Sequence, residues 1–310
     1  MMRLSILLSA LAVGAALDVP SQQVVEPRPG RLLIDAVALD RSGRPVHDLR
    51  REDLEVWIGS YRVPIDTLTF VTGGDRPRRT LVLVLDDVTI EPVVATRVRE
   101  AAKRFVDGVS PGDRISIVTL AGSVVEPTDG RATLSQAIDR YNPRLIGVTR
   151  RDELSARVLT TLTSVSRQLA KELNRRHTIV AIGSAWLFDT PLPPPGTGLD
   201  VHDQWIEAMQ SMAAANANFY VIDPGGVAIG PSAVQGGDAG FAREAGGRSY
   251  VNTNDFAGAA DQILREADNY YLIGVADPPI GRTADLRQLE LRSLRRGVSL
   301  RARKAIPGSR

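Results

Sequence analysis

From residue 80 onward, short apolar runs alternate with stretches whose apolar residues recur at helical spacing. The runs TLVLVLD, DRISIVTLAG, HTIVAIGSAW and NFYVIDPGG predict strands. The clearest helical face lies between the first two runs and consists of Val94, Val98, Ala101, Phe105 and Val109. Strands that are apolar throughout are typical of a sheet covered by helices on both faces. The pattern therefore predicts an α/β fold with a doubly wound, mostly parallel sheet over residues 80–276.

Both ends of the chain carry further strand patterns outside this α/β domain. Residues 31–72 contain short strand-like runs separated by Ser-Gly and Gly-Ser turns, which predicts a small β-rich N-terminal module. The Gly- and Pro-rich segment TGGDRPRRT marks the boundary between this module and the α/β domain. Near the other end, residues 286–304 alternate Leu or Val with polar side chains and predict further strands.

The first residues have the layout of a secretory signal peptide over residues 1–16. One arginine precedes an apolar run over residues 4–17 that contains small residues at its end. This run is shorter than the about 20 residues that a membrane span needs. The alternative is an N-terminal anchor that is never cleaved. Residues 17–30 are polar and contain prolines, as in a linker. We expect a secreted or periplasmic protein with no membrane span after signal cleavage.

The composition excludes several kinds of site. The 310 residues include no cysteine, so disulfides, zinc–thiolate sites and cysteine nucleophiles are ruled out. The three histidines are scattered, which argues against a histidine-rich metal site. A formal net charge of +2 and only 5% aromatic residues argue against a nucleic-acid partner, because binding nucleic acid requires a strongly positive surface and aromatic side chains that stack on bases.

Two aspartates, Asp86 and Asp87, directly follow the apolar run TLVLVL. Ligands of doubly wound sheets bind at the carboxyl ends of the strands, so these carboxylates lie where a binding site is expected. The order of this strand, DRISIVTLAG, IGVT and HTIVAIGSAW is similar to that of the von Willebrand factor type A (VWFA) domain. The flanking segments VALDRSGRPVHDLRREDLEVWIGSYRVPIDTLTF, DNYYLIGVADPP and LELRSLRRGVSLRARKAI resemble those of the VWFA-related family typified in acidobacteria. This resemblance implies that residues 286–304 form a C-terminal β-hairpin packed on the core.

The resemblance also implies a metal site, which this sequence keeps only in part. VWFA domains bind Mg²⁺ or Mn²⁺ through Asp-x-Ser-x-Ser, a threonine and a later aspartate. Asp86 matches the first aspartate and Thr149 the threonine. The two serine positions fall on Val88 and Ile90, and the later aspartate falls on Ser184. Because hard cations need several convergent oxygen ligands, we expect a degenerate site without a bound cofactor.

The same polar residues have structural interpretations. We expect Asp86 to accept backbone N–H bonds, and Asp87 or Thr89 to cap the helix that follows. Asp223 lies in IDPGG, and Asp-Pro-Gly is first of all a turn. The alternative is weak binding of Mg²⁺ or Mn²⁺ through Asp86, Asp87 and Thr149.

An enzymatic function is not expected. Ser184 follows a buried strand, but AIGSAW lacks the Gly-x-Ser-x-Gly pattern of a nucleophile elbow, which leaves a hydrolase as the third hypothesis. We expect a hydroxyl bonded to a neighbouring loop instead. The favoured function is an exported, adhesion-type protein-binding module. Its partner is a protein outside the cytoplasm, bound by the rim, which we define as the loops at the carboxyl ends of the parallel strands. The expected rim residues are Thr89, Ser184, Trp186, Phe188, Asp189 and Asp223, with Trp186 and Phe188 as aromatic anchors.

Overall fold

A computed structural model describes residues 31–73, 78–144, 151–172, 175–184, 201–227, 240–276 and 286–307. These residues form three sheets and a set of helices that flank the largest sheet. The helices are α1 (Ala95–Gly108), α2 (Arg131–Asp139), α3 (Arg151–Leu169), α4 (Val201–Ala214), α5 (Gly240–Glu244) and α6 (Phe256–Asp268). Among the segments that the structure describes, none of the helices has the length and apolar character needed to cross a bilayer.

The largest sheet has six strands in the order β10-β9-β8-β5-β6-β7. Its members are β5 (Arg79–Leu85), β6 (Arg114–Thr119), β7 (Val124–Thr128), β8 (Arg176–Ile182), β9 (Ala217–Ile222) and β10 (Ser249–Tyr250). Neighbouring strands run parallel except at the β7 edge, where the pairing is antiparallel. Every residue of β5, β8 and β9 is buried, because helices cover both faces of the sheet. The predicted doubly wound α/β fold is confirmed.

The two faces of this sheet have separate hydrophobic cores. One core joins the sheet to α1, α2 and α6, and the other joins it to α3, α4 and α5. Val98, Ala101 and Phe105 of the predicted helical face are buried in the first core. Val94 and Val109, at the ends of α1, are only partly buried beside it.

Two smaller antiparallel sheets pack against each other as a sandwich. One has the order β13-β1-β11-β4 and the other β14-β12-β2-β3. Their strands are β1 (Arg31–Leu39), β2 (Leu54–Ile58), β3 (Tyr61–Val63), β4 (Ile65–Val71), β11 (Tyr270–Ala276), β12 (Leu286–Ser293), β13 (Ser299–Ala302) and β14 (Ala305–Pro307). Ile34, Val56, Ile273 and Leu289 meet in the core between them. Strands from both ends of the sequence therefore build one sandwich, and the α/β sheet comes between them along the chain.

The C-terminal strands form where the alternating pattern predicts them, but the expected hairpin is wrong. β12 pairs with β2 and β14, whereas β13 pairs with β1 in the other sheet. The chain crosses between the sheets after Ser293, which lets Leu289 and Leu300 enter the same core from opposite sides. In the same way β11, expected as the last strand of the α/β domain, lies between β1 and β4. Alternation records which face of a strand is buried, but it does not record the partner strand.

Buried ion pairs join the sandwich to the end of the α/β sheet opposite the rim. Arg176, at the start of β8, lies 3.2 Å from the Asp35 carboxylate on β1, and both side chains are at most 4% exposed. The Arg176 guanidinium also lies 3.6 Å from the centre of the Tyr270 ring. A second pair joins Arg301 on β13 to the fully buried Glu266 at the end of α6. Charges buried at such a junction must be paired, so the sandwich and the sheet depend on each other for stability.

His177 on β8 makes the stability of the fold depend on pH. Its imidazole is buried, and its Nδ1 atom lies 2.6 Å from the carbonyl oxygen of Ala215. Burial lowers the pKa of His177 below its ordinary value of 6.5. The unfolded chain therefore binds more protons than the folded chain just below pH 6.5. The contribution of the neutral His177 to the free energy of unfolding is fully present above that pH and is lost as the pH falls below it.

We predict that replacing His177 with glutamine flattens this dependence, because glutamine does not titrate. Thermal melts of the wild type and His177→Gln between neutral pH and the acid side of 6.5 measure the effect. The wild type should lose melting temperature more steeply on acidification than the variant does. His202→Gln is the matched control, because it removes a partly exposed histidine in the first turn of α4. Parallel curves for the wild type and His177→Gln would show that this imidazole does not set the pH response.

Candidate functional site

The rim is formed by the loops that follow four neighbouring strands of the parallel sheet. These loops comprise residues 86–94 after β5, 120–123 after β6, 183–184 after β8 and 223–227 after β9. Because the strands are parallel, their carboxyl ends bring the loops to one edge, as the fold predicts. Asp86, Asp87, Ser184 and Asp223 all lie at this edge.

Asp86 is fully buried, and its carboxylate binds groups of the protein itself. Its Oδ1 atom accepts the backbone N–H groups of Val88 at 3.2 Å and Thr89 at 2.9 Å. Its Oδ2 atom accepts the backbone N–H of Ser184 at 3.2 Å and the hydroxyl of Thr89. The structure thus shows the backbone-accepting role expected for Asp86. The carboxylate holds its own loop closed and joins that loop to the end of β8.

Two neighbours complete the surroundings of Asp86. The Tyr141 hydroxyl donates to the backbone oxygen of Asp86, and burial raises the pKa of Tyr141, so the hydroxyl remains a donor at neutral pH. On the other side, a Cβ atom on Gly183 would lie 2.1 Å from the Cβ atom of Asp86. Glycine is therefore required at the end of β8, because any larger residue would displace the Asp86 side chain.

Val88 and Ile90 turn into the protein where VWFA domains carry serine ligands. Val88 is buried in the core beside α3 and α4, and Ile90 in the core beside α1. Among the residues that the structure describes, no three His, Cys, Asp or Glu side chains are grouped so as to hold a metal ion. Because Val88 and Ile90 carry no side-chain oxygen, the described residues lack two of the ligands that the VWFA resemblance implies. Thr149, the third residue of the alternative metal site, lies outside the described residues.

Asp87 and Thr89 do not cap the next helix, so that prediction is wrong. A turn of 3₁₀ helix over Pro92–Val94 precedes α1, and neither start has a side-chain cap. The Asp87 carboxylate instead accepts the backbone N–H of Ala121 at 2.8 Å, which ties the β5 loop to the β6–β7 turn. The Thr89 hydroxyl is used by Asp86. The Thr89 bond stays within its own loop, whereas the Asp87 bond reaches a loop that is distant along the chain, and sequence spacing does not record such a partner.

Ser184 and Asp223 join the loops after β8 and β9. The Ser184 hydroxyl donates to Asp223 Oδ1 at 3.0 Å, which is the loop contact expected for this serine. The backbone N–H of Gly225 donates to the same oxygen at 3.0 Å, so Asp223 also closes the predicted Asp-Pro-Gly turn. Both residues stabilise the shape of the rim.

Sequence reasoning missed two residues that hold the loop at 223–227. Arg97, in the first turns of α1, donates from Nη1 to the carbonyl oxygens of Pro224 at 3.2 Å and Gly225 at 3.1 Å. The Asn254 side chain accepts the backbone N–H of Val227 at 3.3 Å. These bonds connect α1, the β9 loop and the segment before α6. Their partners are backbone atoms, which carry no signal in the sequence.

Among the described rim residues, Val93 and Val227 are exposed large apolar side chains, and the exposed Val124 borders the rim at the start of β7. Val93 is 79% exposed and Val227 is 58% exposed. They lie on the two segments that Arg97 joins. Val93 lies off the apolar helical face predicted from the sequence, which contains Val94 and Val98, so its exposure agrees with that pattern. Trp186, Phe188 and Asp189, the other expected rim residues, lie outside the described residues.

Comparison with known proteins adds structural likenesses. No protein-family model matches the sequence, and neither does any curated protein. The chain is similar to the manganese-loaded TRAP protein of Plasmodium vivax, with 12% identity and a TM-score of 0.40 over 76% of this chain and 96% of that chain. It is also similar to the three N-terminal domains of the type V pili tip protein Mfa5 from Porphyromonas gingivalis, with 13% identity and a TM-score of 0.30. That likeness spans 69% of this chain and 37% of that chain.

Likenesses of this strength carry no argument about the site or its ligands. The class of protein is defined by the described residues themselves. It is a doubly wound α/β protein whose six-stranded sheet is joined to an antiparallel sandwich.

Proposed function

We propose that this chain is an exported, non-enzymatic protein-binding module of the VWFA-related type, with a degenerate metal site. Its rim binds a protein partner outside the cytoplasm without a metal ion. The observation that carries this proposal is the Asp86 carboxylate, which is fully buried and bonded to the loops around it. A residue that ligates a metal in the resembled family here stabilises the rim.

The energetics support a metal-independent rim. To ligate an ion, Asp86 would have to release N–H donors that are buried or half-buried at Val88, Thr89 and Ser184. Each buried donor left without a partner costs about 1–3 kcal/mol. Val88 and Ile90 offer no oxygen in return, and hard cations need about six oxygen ligands. Binding of Mg²⁺ or Mn²⁺ is therefore disfavoured relative to the closed loop.

The shape and chemistry of the rim support protein binding. Its loops are fixed to one another through Asp87, Ser184, Asp223 and Arg97. A surface that is ordered before binding loses less entropy when a partner docks. Exposed apolar side chains at such an edge, with Val93 as the most exposed, are suited to the core of an interface. Trp186 and Phe188 remain the proposed aromatic anchors.

The experiment replaces the two exposed rim valines together. Val93→Glu with Val227→Glu should reduce capture of the partner from a cell-envelope extract by tenfold or more, since a central anchor contributes about 2 kcal/mol or more. The matched control is Tyr61→Glu with Leu294→Glu, which alters apolar side chains that are 60% and 56% exposed on the sandwich. That control should capture the partner as the wild type does. Addition of EDTA should leave capture unchanged.

Four results would contradict parts of the proposal. The rim double variant could retain full capture while remaining folded, or the sandwich variant could lose capture equally. Capture that disappears in EDTA and returns with Mn²⁺ would restore the metal-dependent alternative. A secreted protein that retains Met1 would contradict cleavage of residues 1–16.

A further inference from the structure

A cavity lies between α3 and the strands β5, β6 and β7, on the helix side of the sheet edge. Its volume is about 340 Å³. Its walls are mainly apolar and include Val82, Val118, Leu120, Val165 and Leu169. Small-molecule sites in proteins have volumes of about 300–1,000 Å³ and mostly apolar walls with a few polar groups. This cavity therefore has the size and lining of a site for a small organic ligand.

The cavity exists because α3 presents small side chains to the sheet edge. The small side chains of Thr161 and Ser164 line it from successive turns of α3, and the longer Gln168 lines it one turn further on. Larger apolar residues at the first two positions would fill the space, as Leu159 and Leu162 do elsewhere on α3. Hydroxyl groups at the wall also provide hydrogen-bonding groups inside an apolar space.

The charged lining of the cavity is acidic. It consists of Glu126 on β7 and Glu172 beyond the end of α3, and within the described part of the chain no lysine, arginine or histidine lines the space. Glu172 accepts the Thr80 hydroxyl at 2.6 Å and lies 3.8 Å from the Nε atom of Arg175. Glu126 is exposed on the edge strand. A positively charged ligand is favoured here, and an anionic one is repelled.

We propose that this cavity binds a small organic ammonium ion with a compact apolar body. The apolar body occupies the space between Val118 and Val165, and the ammonium group pairs with the lining carboxylates of Glu126 and Glu172. This ligand site goes beyond the proposed function, because it is a cavity for a small molecule on the α3 side of the sheet. It adjoins the rim, since Leu120 and Gly122 line it, but neither Val93 nor Val227 does.

Three probes of the same shape test the proposal by titration calorimetry on the full chain. They are 1-adamantylamine, the neutral 1-adamantanol and the anionic adamantane-1-carboxylate. We expect saturable binding of the amine, weaker binding of the alcohol and no measurable binding of the carboxylate. Glu126→Gln should weaken amine binding by about two- to fivefold, as expected for a partly exposed ion pair, without weakening the alcohol. Glu100→Gln, on the exposed face of α1, should change neither.

Filling the cavity tests its location. Ser164→Leu places a good helix former at an exposed position of α3 and should reduce binding of the amine tenfold or more. Thr161→Leu is the second filling variant, and circular dichroism melts check that each variant is folded. The proposal is overturned if the amine shows no saturable binding, if the alcohol or carboxylate binds as tightly, or if both filling variants bind the amine normally. Val93→Glu with Val227→Glu should leave amine binding unchanged, so failure of the rim proposal is distinguishable from failure of this one.

Discussion

Replacing Asp86 with alanine should lower the free energy of unfolding by about 3–5 kcal/mol, since each buried donor that loses its partner costs about 1–3 kcal/mol. The carboxylate accepts N–H groups from Val88, Thr89 and Ser184, and the last of these belongs to a different strand end. Its removal therefore opens the β5 loop and loosens the contact between β5 and β8. Chemical denaturation of the wild type and Asp86→Ala measures the difference.

Asp87→Ala is the matched control for this experiment. Asp87 is half-buried, and its carboxylate accepts the N–H of Ala121, so we expect a loss of about 1 kcal/mol. The same experiment separates a structural carboxylate from a metal ligand. A bound ion at a hundredfold excess over its dissociation constant would stabilise the wild type by about 2.7 kcal/mol. Equal losses in the two variants, or stabilisation by Mn²⁺ that Asp86→Ala abolishes, would contradict the structural role.

Replacing Asp35 with alanine should also lower the free energy of unfolding by about 3–5 kcal/mol, because removing one partner of a buried ion pair leaves the other charge uncompensated. Asp35 on β1 lies 3.2 Å from Arg176 on β8, and the two side chains are 3% and 4% exposed. Asn216 also donates to the Asp35 carboxylate at 3.3 Å. The substitution weakens the contact between the sandwich and the α/β sheet. Urea denaturation of the wild type and Asp35→Ala measures the difference in the free energy of unfolding.

Asp139→Ala provides the comparison for an exposed ion pair. Asp139 lies 2.7 Å from Lys103, but the two side chains are 59% and 46% exposed, so its loss should cost about 0–1 kcal/mol. Adding Arg176→Met to Asp35→Ala should restore part of the stability, because an apolar side chain needs no counter-charge. If Asp35→Ala costs no more than Asp139→Ala, the buried pair does not hold the sandwich to the sheet.

Several parts of the candidate site followed from local chemistry. Asp86 directly follows the apolar run LVLVL, so its carboxylate had to be satisfied by nearby donors, and the donors that are closest along the chain are the N–H groups of Val88 and Thr89. The turn at Asp223 was readable from Asp-Pro-Gly for the same reason. The bond between Asp87 and Ala121 and the bond between Arg97 and Pro224 could not be predicted from the sequence, because backbone atoms of distant loops leave no pattern.

The sequence by itself determined the class of the fold. The apolar runs within β5, β8 and β9 and the helical face of α1 can be recognised in the sequence, because burial on two faces or on one stripe fixes the period of apolar residues. Only the tertiary structure decided that β11 and β13 pair with β1, and that β12 pairs with β2, in a sandwich. It also decided that Asp35 meets Arg176 and that α3 leaves a cavity beside β6. The physical reason is that a local pattern specifies which side of an element is buried, whereas the partner depends on contacts between residues far apart in the chain.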